Sequence, residues 1–354
     1  MRGHRRHALV AAATLTLAAS GRRVAVLAVI VAVSVLAIGG TAQAKYAGAN
    51  GQIAFTQYDA TSSHVFIANP DGGNPKELPV DDADQAVWSP GGSQILLTIC
   101  CPSAPPHPAI INADGTGFKL LNVPGLPADG AVICRAWSPD ASQLLCQFMG
   151  DTDHSLDGIY TIRASDGAVL KRLTVNPYPP TGNFGGGDIP GDYSPDGSQF
   201  VFMRAKPGAG PVPDRNQRGA LFVENTDGTG LHQITPYGLA NSHDNATESW
   251  SPDGSEILFA GVHGPFSGAG LYVVRTDGTG LRAIPLKIDS RSFAFTPRWS
   301  PDGAKIIFSL FTTKGPGTGD QGISTANADG SGLSQVTSGG GYDFADWGTH
   351  PLAP

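Results

Sequence analysis

The chain has 354 residues, 40% of them hydrophobic, with 47 glycines, 28 prolines and a formal net charge of −7. That apolar content excludes an intrinsically disordered protein, and so much glycine and proline favours many tight turns between short strands over long helices. The first 44 residues hold five arginines and no acid, so the remainder carries 18 basic and 30 acidic residues; a body this acidic excludes a nucleic-acid partner, which needs clustered Lys and Arg.

The N-terminus reads as a targeting segment. Arg22-Arg23 precedes an uncharged apolar run from Val24 to Ile38, and Ala42-Gln43-Ala44 follows as an A-x-A cleavage pattern. Basic flank, apolar stretch and small-residue site predict a secretory signal peptide over 1–44. The rival is an uncleaved membrane anchor, since the run lies near the lower limit of a span. Either way the body, 45–354, is expected outside the cytoplasm: secreted, periplasmic or attached to the cell envelope. The only membrane contact expected is through an uncleaved leader.

The first strand of the body is Gly51-Gln52-Ile53-Ala54-Phe55. After it comes a loose Asn69-Pro70-Asp71-Gly72 turn, and then Trp88-Ser89-Pro90-Gly91-Gly92. From there a repeat is plain. Trp137-Ser138-Pro139-Asp140, Tyr193-Ser194-Pro195-Asp196-Gly197, Trp250-Ser251-Pro252-Asp253-Gly254 and Trp299-Ser300-Pro301-Asp302-Gly303 follow, and the last copy stops at Trp347-Gly348. Ser-Pro-Asp-Gly suits a tight turn: proline fixes φ at its second position and glycine closes it. Each copy therefore predicts a hairpin, with the aromatic ending one strand and an alternating apolar strand following.

A second turn follows each hairpin. Its clearest versions are Asn112-Ala113-Asp114-Gly115, Asn225-Thr226-Asp227-Gly228, Arg275-Thr276-Asp277-Gly278 and Asn327-Ala328-Asp329-Gly330, with a looser Ser165-Asp166-Gly167. Asp-Gly between apolar runs signals another hairpin. Four antiparallel strands per repeat predict the blade of a β-propeller. The chain opens on a second strand lacking a first and ends on a first strand lacking a second. Six aromatics (Trp88, Trp137, Tyr193, Trp250, Trp299 and Trp347) therefore predict an all-β, six-bladed propeller. Its ring is expected to close by pairing the C-terminal strand with the N-terminal blade.

These W/Y-S-P-D-G copies resemble the PD40, or TolB-like, propeller repeat, a member of the WD40-like class. The resemblance runs from Gly51 to Trp347. It does not extend to the N-terminal α/β domain of TolB, for which no segment is found between leader and first blade. It implies, by analogy of fold alone, protein–protein interaction in the cell envelope.

Most of the conserved-looking chemistry of the repeat reads as scaffold. The six aromatics are expected to pack neighbouring blades together, and the turn aspartates to hold their own turns. The Asp-Gly turns lack the spaced acids and closing Glu of a calcium loop. Function is expected on the face opposite the tight turns, where long dissimilar connections carry His154, His243 and His263. Residues just before the aromatics should approach the central channel: Arg135, Asp192, Glu248, Arg298 and Asp346. Such a mixed-sign ring either binds a polar ligand or ion, or neutralises itself.

Four cysteines allow three pairings, and Cys134 and Cys146 sit symmetrically about the 138–141 turn, where they would face each other across a hairpin. Buried thiols are the alternative. No zinc spacing, G-x-S-x-G elbow, H-E-x-x-H helix or Walker loop is present. No catalytic residue, metal ligand or cofactor is therefore assigned; a channel-bound cation such as calcium is the one candidate, and nothing indicates it. The expected function is a monomeric, non-catalytic module that docks a protein or a cell-envelope polymer on its long-loop face. The alternative is a metal-assisted hydrolase or lyase with its site at the channel mouth.

Overall fold

The computed structural model describes residues 48–100, 105–175, 187–205, 218–241, 247–263, 267–315, 318–337 and 339–353. All of them belong to the compact unit Gly40–Pro354. The leader, Cys101 and His243 lie outside the described residues. No helix among the described residues is long and apolar enough to cross a membrane.

One repeat shows how the sequence makes its strands. Ala131–Trp137 pairs antiparallel with Gln143–Met149, that strand with Gly158–Arg163, and that in turn with Val169–Arg172. The first turn is tied by its own side chains. Ser138 Oγ donates to Asp140 Oδ1 at 2.6 Å, that oxygen accepts the Ser142 N–H at 3.0 Å, and Ser138 Oγ accepts the Gln143 N–H at 2.9 Å. The copies at Ser194, Ser251 and Ser300 repeat this set. The fourth turn residue adopts positive φ, which glycine accepts at little cost; Ala141 does so at 58° without being glycine. In the Asp-Gly turns, Asp114, Asp227, Asp277 and Asp329 are each held below the usual carboxylate range by the hydroxyl and N–H of the residue two places on.

The aromatics sit where one repeat meets the next. Trp137 packs with Val87, Leu96 and Ile110 of the preceding repeat as well as with its own strands. Tyr193 joins Leu145 and Ile159, Trp250 joins Val201 and Leu221, and Trp299 joins Leu258 and Leu271 in the same way. Burial of this kind makes each a candidate for losing about 3–5 kcal/mol on truncation to Ala.

The hydrogen bonding corrects the expected architecture. The molecule is an all-β propeller with four-stranded blades, but among the described residues its strands form four sheets, of eight, four, nine and four strands, rather than the six blades expected. Short bridges fuse strand groups that the repeat counts separately. Gln321 pairs with Gly341 in parallel, and Ala240–Asn241 bridges Arg218–Asn225 to Glu256–His263. The C-terminal strand Gly341–Trp347 does pair with Ile53–Tyr58, Trp347 lying opposite Ile53. That pairing completes the eight-stranded sheet. Among the described residues no ladder links the four sheets into a closed ring, so the expected closed ring is not found.

Candidate functional site

The strands that end in the aromatics converge on a common axis. Most carry a register shift just before the aromatic: between Asp84 and Val87, Cys134 and Ala136, Pro190 and Tyr193, and Phe295 and Arg298. In three of them the residue three places before the tryptophan is left-handed without being glycine: Gln85 at φ 53°, Thr296 at 48° and Phe344 at 50°. Side chains compensate for this strain at two of the three. Asp84 Oδ1 accepts the Gln85 N–H at 2.6 Å, and Asp343 Oδ1 accepts the Phe344 N–H at 2.7 Å. The bulges turn the next residues inward, which buries polar groups along the axis.

Several of those groups stitch adjacent strands. Asp346 Oδ2 accepts the Trp88 N–H at 2.8 Å, and Asp192 Oδ2 accepts the Trp250 N–H at 3.3 Å. Ser249 Oγ accepts the Trp299 N–H at 3.3 Å. The residue before one aromatic thus caps the backbone of the next aromatic along. Arg298 donates from Nη2 to the Arg135 carbonyl at 3.3 Å, and its Nη1 lies 4.0 Å from Asp192 Oδ2.

Glu248 completes the group. Its side chain is buried, and burial raises its pKa to about 7 against the opposing pull of Arg135 and Arg298. Gly191 makes room for it: a Cβ there would lie 2.6 Å from Glu248 Oε2. Between Gln85, Arg135, Thr247, Thr296, Arg298 and Phe344 the axis narrows to a cavity of about 10 Å³, room for roughly one water. The structure therefore brings Arg135, Asp192, Glu248 and Arg298 together, while Asp346 is engaged with Trp88.

A second buried polar group was not singled out from the sequence. Asp343 Oδ1 also accepts from Ser309 Oγ at 2.7 Å and Thr296 Oγ1 at 3.0 Å, and Asp84 Oδ1 accepts the Tyr58 hydroxyl at 2.6 Å. Burial raises Asp343 to about 6, with the Asp84 charge adding to it. Burial likewise raises Asp84 and Tyr58. The signal that would have found the pair is positional: each aspartate stands four residues before its tryptophan.

On the long-loop face, His154 Nδ1 lies 3.0 Å from Asp157 Oδ2, and Asp157 Oδ1 accepts the Gly150 N–H at 2.7 Å. His154 thus closes its own connection. His263 ends the strand Glu256–His263, its backbone opposite Ser267. Arg204, also missed, grips Asp188 with two bonds of 2.7 Å while lying over the rings of Phe202 and Phe222. Cys134 and Cys146 face each other in register and form a disulfide. Among the described residues no three His, Cys, Asp or Glu side chains are grouped to hold a metal ion.

No protein-family profile matches the sequence, and no curated protein does. Solved structures do match. TolB from Acinetobacter baumannii is similar over 84% of this chain and 66% of its own, with 21% identity and a TM-score of 0.59. A protein from Agrobacterium tumefaciens assigned as TolB is similar over 83% of this chain and 91% of its own, with 17% identity and a TM-score of 0.57. Hydrazine synthase from Kuenenia stuttgartiensis is similar over 88% of this chain and 48% of its own, with 14% identity and a TM-score of 0.57. These likenesses show the fold: a TolB-like β-propeller.

Proposed function

We propose that this protein is an extracytoplasmic interaction scaffold, a set of PD40-type repeats that docks a protein or a cell-envelope polymer on its long-loop face. The observation that carries this reading is the stitched axis. Asp346, Asp192 and Ser249 spend their oxygens on the backbone of neighbouring strands, and Arg298 spends a donor on Arg135. Buried polar groups satisfied in this way rigidify a core. A rigid body carrying variable connections is a common way to present a recognition surface. The TolB-like fold supports the same reading by analogy. The basic and apolar N-terminal leader supports export, and the disulfide suits an oxidising compartment.

The test is site-specific photo-crosslinking in cells. A photoreactive residue at Asp151, exposed on the long-loop face, should yield a discrete crosslinked species in the envelope fraction. The same residue at Asp114, in an exposed tight turn, should not. Equal yields from both positions, or a protein recovered only in the cytoplasm, would remove this reading.

A further inference from the structure

Successive Ser-Pro-Asp-Gly turns lean on one another. A Cβ on Gly197 would meet the Pro139 ring at 3.2 Å, one on Gly254 the Pro195 ring at 3.7 Å, and one on Gly303 the Pro252 ring at 3.5 Å. Gly341–Trp347 and Ile53–Tyr58 pair like the first two strands of those repeats, but they come from distant parts of the sequence and no such turn joins them. The Ser89–Gly92 turn therefore has no turn to lean on from that side. Gly91 also stands where the later turns carry aspartate, so the carboxylate that ties those turns is missing here.

Residues 348–353 fill the gap. Backbone pairing continues past Trp347: the Gly51 N–H donates to the Gly348 carbonyl at 2.9 Å, and the Gln52 N–H to the His350 carbonyl at 2.8 Å. The segment then holds the turn by its carbonyls. Thr349 Oγ1 donates to the Pro90 carbonyl at 3.2 Å, and His350 Nδ1 to the Gly92 carbonyl at 2.8 Å. The His350 ring stacks on Trp88, with centroids 5.3 Å and planes 10° apart. Gly92 has φ 66°, and a Cβ there would lie 2.6 Å from the His350 nitrogen, so the segment passes only because that position is bare. Further on, Asn69 grips the backbone of Ala353, its Oδ1 accepting the N–H at 2.9 Å and its Nδ2 donating to the carbonyl at 3.0 Å.

Among the described residues no ladder joins Gly341–Trp347 to Ala83–Trp88. That seam is held by Asp346 on the axis side and by His350 on the turn side. In the other repeats a tight turn ties the first two strands covalently. Here hydrogen bonds alone hold the pair, so it can part without unfolding the rest.

We propose that residues 348–353 are a latch: they stand in for the missing turn, and their seat on Trp88 and Gly92 decides whether Ile53–Tyr58 and Gly341–Trp347 stay paired. The latch lies on the tight-turn face and stands or falls independently of docking on the long connections.

The test is native-state hydrogen exchange of the full chain and three variants, read by mass spectrometry. His350→Ala removes the stack and the bond to Gly92. Gly92→Ala sets a methyl group against the segment. Both should speed exchange of the Ile53–Tyr58 amides by roughly tenfold or more while leaving Gln199–Ala205 unchanged. Gly254→Ala brings the same kind of left-handed strain, at φ 76°, but faces Pro195 instead of the segment, so it should leave Ile53–Tyr58 unchanged. Exchange unaltered in both latch variants would overturn the proposal. So would equal acceleration of Ile53–Tyr58 and Gln199–Ala205, or the same acceleration of Ile53–Tyr58 by Gly254→Ala.

Discussion

Asp346 and Trp88 stand 258 residues apart in the chain, yet the carboxylate of one accepts the backbone N–H of the other at 2.8 Å. The acceptor sits on the C-terminal strand, the donor at the end of Ala83–Trp88. Asp346→Ala would strand a buried N–H, so about 2–3 kcal/mol of stability should be lost. Asp346→Asn keeps an acceptor oxygen and should lose less. Urea unfolding checks this: the midpoint should fall in the order wild type, Asn, Ala at unchanged slope.

Glu248 gives the channel a pH dependence whose sign is fixed by burial. Its folded pKa, about 7, lies above its ordinary value of 4.5, so the folded state holds a proton that the unfolded state releases first. The associated stability is fully present below about pH 4.5 and is lost as pH rises through about 7. Asp343, raised to about 6, acts in the same direction over a lower window. Glu248→Gln should flatten the upper part of the profile. Unfolding free energies of both proteins between pH 4 and 8 (a range of about four units chosen to span both groups) isolate the effect. A difference between them that does not change with pH would refute it.

The disulfide spans a hairpin that its own turn already closes, so its contribution should fall near the low end of the usual range, about 2 kcal/mol. Cys134 and Cys146 should resist alkylation in the native and the unfolded protein alike until a reductant is added. Peptide mass mapping after each treatment distinguishes that from buried thiols, which react once the chain unfolds.

Gln85 tests the strained bulge. Its φ of 53° suits glycine, so Gln85→Gly should leave stability unchanged or raise it by up to about 1 kcal/mol. Gln85→Val, β-branched at a left-handed position, should lose at least about 1 kcal/mol. Thermal unfolding of the two variants should therefore move in opposite directions, or one should stay still.

The parts legible in the sequence are those made by neighbours in the chain. Ser-Pro-Asp-Gly and Asn-x-Asp-Gly write their own hydrogen bonds within six residues, and the hairpin around Ser138 sets Cys134 opposite Cys146 by symmetry alone. The sheet count was not legible. It turns on bridges as small as Gln321 to Gly341, where the backbone of one connection happens to approach another strand. The channel charges were visible as residue types before each aromatic. Their use was not, because the N–H that Asp192 caps belongs to Trp250, 58 residues on. Asp84 and Asp343 share a place four residues before a tryptophan, but that spacing alone does not announce the left-handed residue immediately after each of them.

The pairing of Ile53–Tyr58 with Gly341–Trp347 also sets the order in which the molecule can be born. A ribosome finishes the first of these strands long before it begins the second, so an open strand edge must wait through nearly the whole synthesis. The last step of maturation is then a long-range closure, slow by the entropy of the loop it has to gather. The nascent protein needs protection from mispairing for that interval.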